Sequence, residues 1–307
     1  MGLKRENGWS LGGVYLQGLA MGAADVVPGV SGGTIALLFA IYARLVNAIR
    51  SASSRSSLRL LRQRGGIAEF WKAIDGSFLV ALVLGILTSI LLFARVITYS
   101  IEYYPVLLWS FFFGLILASI YLVGLRIKCW GLGTMLVLLI GTALGGLVGL
   151  ASSTTMPSSF LGYFFSAAIA ICAMILPGIS GSFILVLLGK YHEVLAALNA
   201  WDWSVIIPFA MGAVVGLLSF SHLLAFLLRR FENLTLSLLT GFMAGAIVKV
   251  WPWRLPRPGM PDLDMAVWPT AYAEQGFAPH VAAAILLALF GGGVVLALGH
   301  LVKKKGE

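Results

Sequence analysis

Asp25, Ser31 and Thr34 fall within one ten-residue window, in the stretch "ADVVPGVSGGT" (24–34), with apolar residues on both sides. Pro28 stops a helix, because its ring clashes with the preceding turn and it has no N–H to give. Gly29, Gly32 and Gly33 permit positive φ and let a ligand come close to the backbone, including that of Val30. A helix that restarts after such a break points its free N–H groups into it. Those N–H groups and the helix dipole attract anions, phosphate above all. Ser31 can cap the new helix or donate to a ligand, and Thr34 adds a second hydroxyl. The chemistry on offer is the holding of an anion at a broken helix.

The same set occurs twice. "VPGVSGGTIALLFAIY" (27–42) aligns without gaps on "LPGISGSFILVLLGKY" (176–191), 149 positions further on. Pro28 matches Pro177, Gly29 matches Gly178, Ser31 matches Ser180, Gly32 matches Gly181 and Tyr42 matches Tyr191. Later matches run at an offset of 127: Asp75 with Asp202, Gly85 with Gly212, and Gly114 with Gly241. The difference of 22 is close to the length of the basic loop 50–72, so the first half reads as the second half plus an insertion. One Pro-Gly break alone would read as a packed kink. Two aligned breaks point to a shared site, with Gly29, Val30, Ser31, Gly32, Gly33 and Thr34 facing Gly178, Ile179, Ser180, Gly181 and Ser182.

Other polar residues are candidates beside this set. Asp25 has no acidic counterpart, because Met174 fills its matching position. A carboxylate at membrane depth is a functional candidate. Two roles stay open for it: proton or ion coupling beside the anion, and hydrogen bonding to the broken backbone. Arg95 and His222 occupy matching positions. Lys190 and Arg44 lie about 17–19 Å past their breaks if the helices run straight. Arg95, Lys190 and His222 are candidate headgroup contacts, whereas Arg44 and Lys249 are read as cations snorkelling to an interface.

These residues need elements to hold them, and the composition says which. The chain of 307 residues is 60% hydrophobic and only 11% charged, with a mean hydropathy of +0.96. Soluble domains carry about 25% charged residues. Apolar segments recur near 11–27, 30–49, 76–98, 104–124, 131–150, 160–176, 179–198, 204–228, 234–250 and 279–300. A span needs about 20 residues. The expected fold is therefore an all-α polytopic membrane protein of two repeats, 1–150 and 160–307. Each repeat holds a Pro/Gly-broken helix pair, spanning or re-entrant, plus three spanning helices. Both counts of crossings are odd, so the second copy inserts upside down relative to the first, the inverted plan of secondary transporters.

Lys and Arg set the orientation. Basic residues cluster in 50–72, at Arg126 and Lys128, at Arg229 and Arg230, and at both termini, while 151–159 carries no charge. Placing the clusters inside puts both termini in the cytoplasm and the Trp/Pro-rich segment 251–277 outside. That segment is an interfacial aromatic belt or a lid over an outer site. The opening "MGLKRENGWS" has no cleavage site of the secretory kind after it. The net charge of +9 is accounted for by topology and anionic lipid, with no nucleic-acid partner implied. Cys129 and Cys172 lie in or beside apolar segments and read as inert thiols. No P-loop, dinucleotide fingerprint or zinc-ligand spacing is present, so neither cofactor nor metal is expected.

"GAADVVPGVSGGTIAL" together with "ILPGISGSFILVLLGKY" resembles the bacterial polyprenyl-phosphate transporter family, and the resemblance covers nearly the whole chain. It implies an inner-membrane protein, not an enzyme, that returns undecaprenyl phosphate from the outer to the cytoplasmic leaflet so that the cell-wall carrier lipid is reused. It transfers roles only to 25–34 and 177–182. Oligomeric state is left open. Two alternatives remain beside it. Undecaprenyl-diphosphate phosphatases also carry a Pro-Gly-x-Ser break, but with an Arg after the serine and a Glu-rich helix; here Gly32 and Gly181 follow, and no ExxxE pair occurs. A transporter of a small soluble anion would use the same helix ends and would differ in lacking a side opening to lipid.

Overall fold

The computed structural model describes residues 10–25, 31–63, 66–150, 155–257 and 260–306. The first half of the chain folds into helices α1 (Leu11–Asp25), α2 (Gly32–Leu38), α3 (Tyr42–Ala52), α4 (Arg55–Leu60), α5 (Gly66–Ala73), α6 (Gly76–Tyr103), α7 (Pro105–Gly124) and α8 (Leu132–Leu150). The second half follows with α9 (Phe160–Ile175), α10 (Gly181–Leu187), α11 (Tyr191–Ala200), α12 (Trp203–Arg230) and α13 (Glu232–Ala246), which runs into a 3₁₀ turn at Ile247–Val250. A hairpin of β1 (Arg254–Arg257) and β2 (Met260–Ala266), then α14 (Pro269–Glu274) and α15 (Val281–Gly306), completes it.

Local chemistry sets several of these boundaries. Pro105 opens α7, in the first turn, where its missing N–H has no intrahelical partner to lose. Ser159 caps α9 by accepting from the Gly162 N–H, and Asp202 caps α12 by accepting from the Ser204 N–H. Among the described residues, α6, α7, α12, α13 with its 3₁₀ turn, and α15 are long and apolar enough to cross a membrane. The number rises to seven if each bent pair, α2 with α3 and α10 with α11, counts as one span. The α-helical polytopic class therefore holds. The helix α8 is shorter in its apolar part, Leu132–Val148, and α9 is shorter still.

The bent pairs differ from the sequence expectation. The runs 30–49 and 179–198 read as single apolar segments, but each divides into two helices, meeting at 116° in the first half and 107° in the second. Ala40, with φ of 59°, and Gly189, with φ of 67°, stand at the two corners. Hydrophobicity runs unbroken through both corners, and a left-handed residue leaves no mark on an apolar pattern. The segment 251–277 is also more ordered than a belt. Its hairpin and α14 pack over α7 and α15 through a small core of Val106, Trp253, Tyr272 and Ala284. Trp251 donates to the Val267 carbonyl and Trp253 to the Pro279 carbonyl, both at 2.8 Å.

The two halves share a helix order, with α4 and α5 extra in the first and the 3₁₀ turn, hairpin and α14 extra in the second. Packing repeats too. α1 lies on α6 as α9 lies on α12, while α7 pairs with α15 and α13 with α8. The contacts are made by small residues: Gly18 against Gly85, Gly212 against Phe164, Gly141 against Gly241 and Gly291 against Phe111. Lipid supplies no hydrophobic drive between helices, so close backbone approach through such residues supplies the contact energy instead. Around this core, large apolar side chains such as Leu91, Leu132 and Leu286 are exposed, as a surface facing lipid tails requires.

Candidate functional site

The first break is held by its own polar residues. Ser31 sits in extended backbone ahead of α2 and accepts from the Gly33 N–H at 3.1 Å. Its hydroxyl points at two carbonyls of the second motif region, Leu176 O at 3.2 Å and Met174 O at 3.3 Å, and donates there. The Asp25 carboxylate accepts from the Gly32 N–H at 2.6 Å. Of the two roles left open for Asp25, backbone capping is the one visible in this geometry. The remaining residues of the first break, Gly29 and Val30 with Pro28, lie outside the described residues.

The two motifs touch although about 145 residues separate them. Thr34 accepts from the Gly178 N–H at 3.1 Å, and Tyr42 donates to the Ile175 carbonyl at 3.1 Å. Gly33 approaches the Ile175 carbonyl so closely that an added Cβ would stand 2.6 Å from it. Gly178 has φ of +84° and backs onto the main chain of Met243 in α13, so glycine is required there for both conformation and space. Ser31, Gly32, Gly33, Thr34, Gly178, Ile179, Ser180 and Gly181 are all buried, whereas Ser182 is exposed. Ser180 occupies the cap position of α10 but makes no cap bond; its hydroxyl shares a 2.9 Å hydrogen bond with that of Ser182.

Beside the second break the structure opens. A narrow crevice runs along Gly178, Ile179 and Ser180, bordered by Gly145, Val148, Ala246, Phe183 and Lys249. Phe183 and Lys249 also line a larger cavity of about 350 Å³, completed by Ile101, Pro105, Trp109, Pro252, Arg254 and Tyr272. The Lys249 ammonium stands 3.1 Å from the centre of the Phe183 ring, and the Arg254 guanidinium carbon 5.2 Å from that of Trp109. Burial raises the Tyr272 phenol above its ordinary pKa. Two cations and aromatic walls make a lining suited to an anion that carries apolar substituents.

The structure does not bring the other expected cations here. Arg95 is exposed on α6, and the His222 ring nitrogen faces the Leu218 carbonyl of its own helix at 2.8 Å. Lys190 is buried against Glu193 at 2.8 Å and Ser158 at 2.7 Å. Arg44 is not a free interfacial cation either, because it forks onto Asp75 at 2.6 and 3.1 Å. Arg126 donates to the Leu37 and Leu38 carbonyls at 2.9 and 3.1 Å, closing the C-terminal end of α2. By its sequence position Lys249 reads as a snorkelling cation, and Arg254 carries no assigned role. The available signal is their place at the two ends of "KVWPWR" (249–254), a cation pair bracketing an aromatic turn.

Comparison with known proteins follows the same lines. Residues 21–260 match the model of the family described as "VCA0040-like: Undecaprenyl phosphate translocase-like". A relative from Vibrio cholerae serotype O1, named polyprenyl-phosphate transporter, is 45% identical over 240 residues, 78% of this chain and 77% of its own. A Staphylococcus aureus protein of the same name is 29% identical over 255 residues, covering 77% of this chain and 85% of its own. No solved structure matches. With a family match over most of its length, the chain belongs to the undecaprenyl phosphate translocase-like family.

Proposed function

We propose that this protein carries a polyprenyl phosphate across the bacterial cytoplasmic membrane, from the outer to the cytoplasmic leaflet, with undecaprenyl phosphate as the cargo. The phosphate enters the cavity between Lys249 and Arg254 and moves past Phe183 toward Ser180, Ser182 and Gly178, while the isoprenoid tail stays in lipid. The single observation that carries this reading is the pairing of those two cations over an apolar, aromatic cavity that continues into the second break. The names of the two relatives support the cargo. The charge pattern supports the side, because basic loops held inside leave the hairpin and this cavity facing out.

In the same reading the two halves are inverted copies, so the first break serves the opposite face. There the helix end is already occupied internally, by Asp25 on Gly32 and by Ser31 on Gly33. A phosphate arriving at that break displaces the Asp25 carboxylate, which takes up a proton as it leaves. No phosphoester is broken in this cycle. The test is binding of a short-chain polyprenyl phosphate to the purified full-length protein and to Lys249→Ala, Arg254→Ala and the double variant, with the matching polyprenol as control. Losing one charge-assisted contact of about 1.5–3 kcal/mol lowers affinity roughly 10- to 150-fold. Unchanged affinity in the double variant refutes the assignment. Competition by inorganic phosphate as strong as by the lipid would indicate a soluble-anion carrier instead.

A further inference from the structure

We infer that Phe183 is the gate between the outer cavity and the second break, and that Lys249 is its latch, released by the phosphate itself. The inference rests on the headgroup reading above and adds the device that couples arrival of the phosphate to opening. Among the described lining residues, Phe183 and Lys249 are the two that border both the cavity and the crevice, so they form the partition between them. The ammonium lies 3.1 Å from the ring centre, well inside cation–π range, and pins the ring face. A phosphate arriving beside Lys249 competes with the ring for the ammonium. A phosphate is the stronger partner, because a full anion attracts a cation more than a ring quadrupole does.

Lys249 therefore leaves the ring when phosphate enters. The freed ring swings away from the crevice into the larger cavity, whose volume of about 350 Å³ has room for it, and uncovers Ser180 and the Gly178 backbone. The repeat supports a specialised role. The residue matching Phe183 in the first half is Thr34, 149 positions earlier, whose hydroxyl ties down the Gly178 N–H. One repeat thus uses this position as a tether and the other as a door.

The test uses full-length protein in detergent micelles, where membrane side plays no part. Ser180→Cys is placed in a background carrying Cys129→Ser and Cys172→Ala, and its modification by a charged thiol reagent is timed. With Phe183 present, modification is slow, and it rises several-fold on adding short-chain polyprenyl phosphate but not polyprenol. Phe183→Leu makes it fast with or without the lipid, and Phe183→Tyr restores the lipid dependence. Lys249→Met makes it fast without lipid. A Phe183→Leu protein as slow as its parent overturns the gate, and so does a parent whose rate ignores the phosphate lipid. Lipid binding is measured on the same samples. Normal binding by Lys249→Met would count against the headgroup reading rather than against the gate.

Discussion

Gly178→Ala places a single methyl group where the two breaks meet, and the structure sets its cost. The residue has φ of +84°, where a side chain costs about 1–2 kcal/mol. The new Cβ would also stand 2.9 Å from Met243 Cα and 3.0 Å from the Phe242 carbonyl oxygen. Carbon atoms pack comfortably at about 3.5–4.0 Å. Both neighbours are main chain of α13, which cannot swing aside as a flexible side chain would, so overpacking adds about 1–3 kcal/mol. The total is about 2–5 kcal/mol, a large part of a typical stability of about 5–15 kcal/mol. Gly276 is the matched control. Its φ is +83°, but an added Cβ meets nothing within 4 Å, so Gly276→Ala should lose only the conformational part, about 1–2 kcal/mol. Equilibrium unfolding in mixed micelles, followed through tryptophan fluorescence as SDS is titrated, measures both. Equal losses at the two positions would refute the close approach of Gly178 to α13.

Three further outcomes are expected. Thr34→Val keeps the shape but leaves the buried Gly178 N–H unpaired, and should cost about 1–3 kcal/mol in the same unfolding titration; a neutral result would mean the two motifs are not tied there. Asp25→Asn still offers an oxygen to Gly32 and should keep stability, but transport in reconstituted vesicles at two pH values should lose its pH dependence, whereas Asp25→Ala should also lose about 1–3 kcal/mol with the cap. An Asn variant with the parent's pH response would leave Asp25 as a cap alone. Cysteines placed in 151–159 or 255–275 should react with an impermeant reagent in intact cells, while those in 50–72 should not, and the reverse pattern would overturn both orientation and inversion.

Much of this protein is written along the chain, because it depends on local chemistry. Apolar runs of span length specify membrane helices wherever they fold. Pro-Gly followed by Ser-Gly breaks and restarts a helix through the backbone limits of those residues alone, so the place of Ser31 at the head of α2 is legible in the letters themselves. The 149-residue repeat is legible for the same reason, since it is a comparison of letters. The corners at Ala40 and Gly189 are not legible, and they move everything downstream of them. Counting along a straight helix places Lys190 near the interface, but α10 ends at Leu187 and turns through 107°, carrying Lys190 to Glu193 and Ser158 instead. Lys249 lies 71 residues beyond Gly178 in sequence, yet it borders the same crevice. The packing of α13 on α8 brings it there through Gly141, Gly145, Gly241 and Gly245, which let the two backbones close together. Which cation meets the break is thus a property of helix packing, and packing depends on the fit of surfaces distant in the chain, which no local pattern encodes.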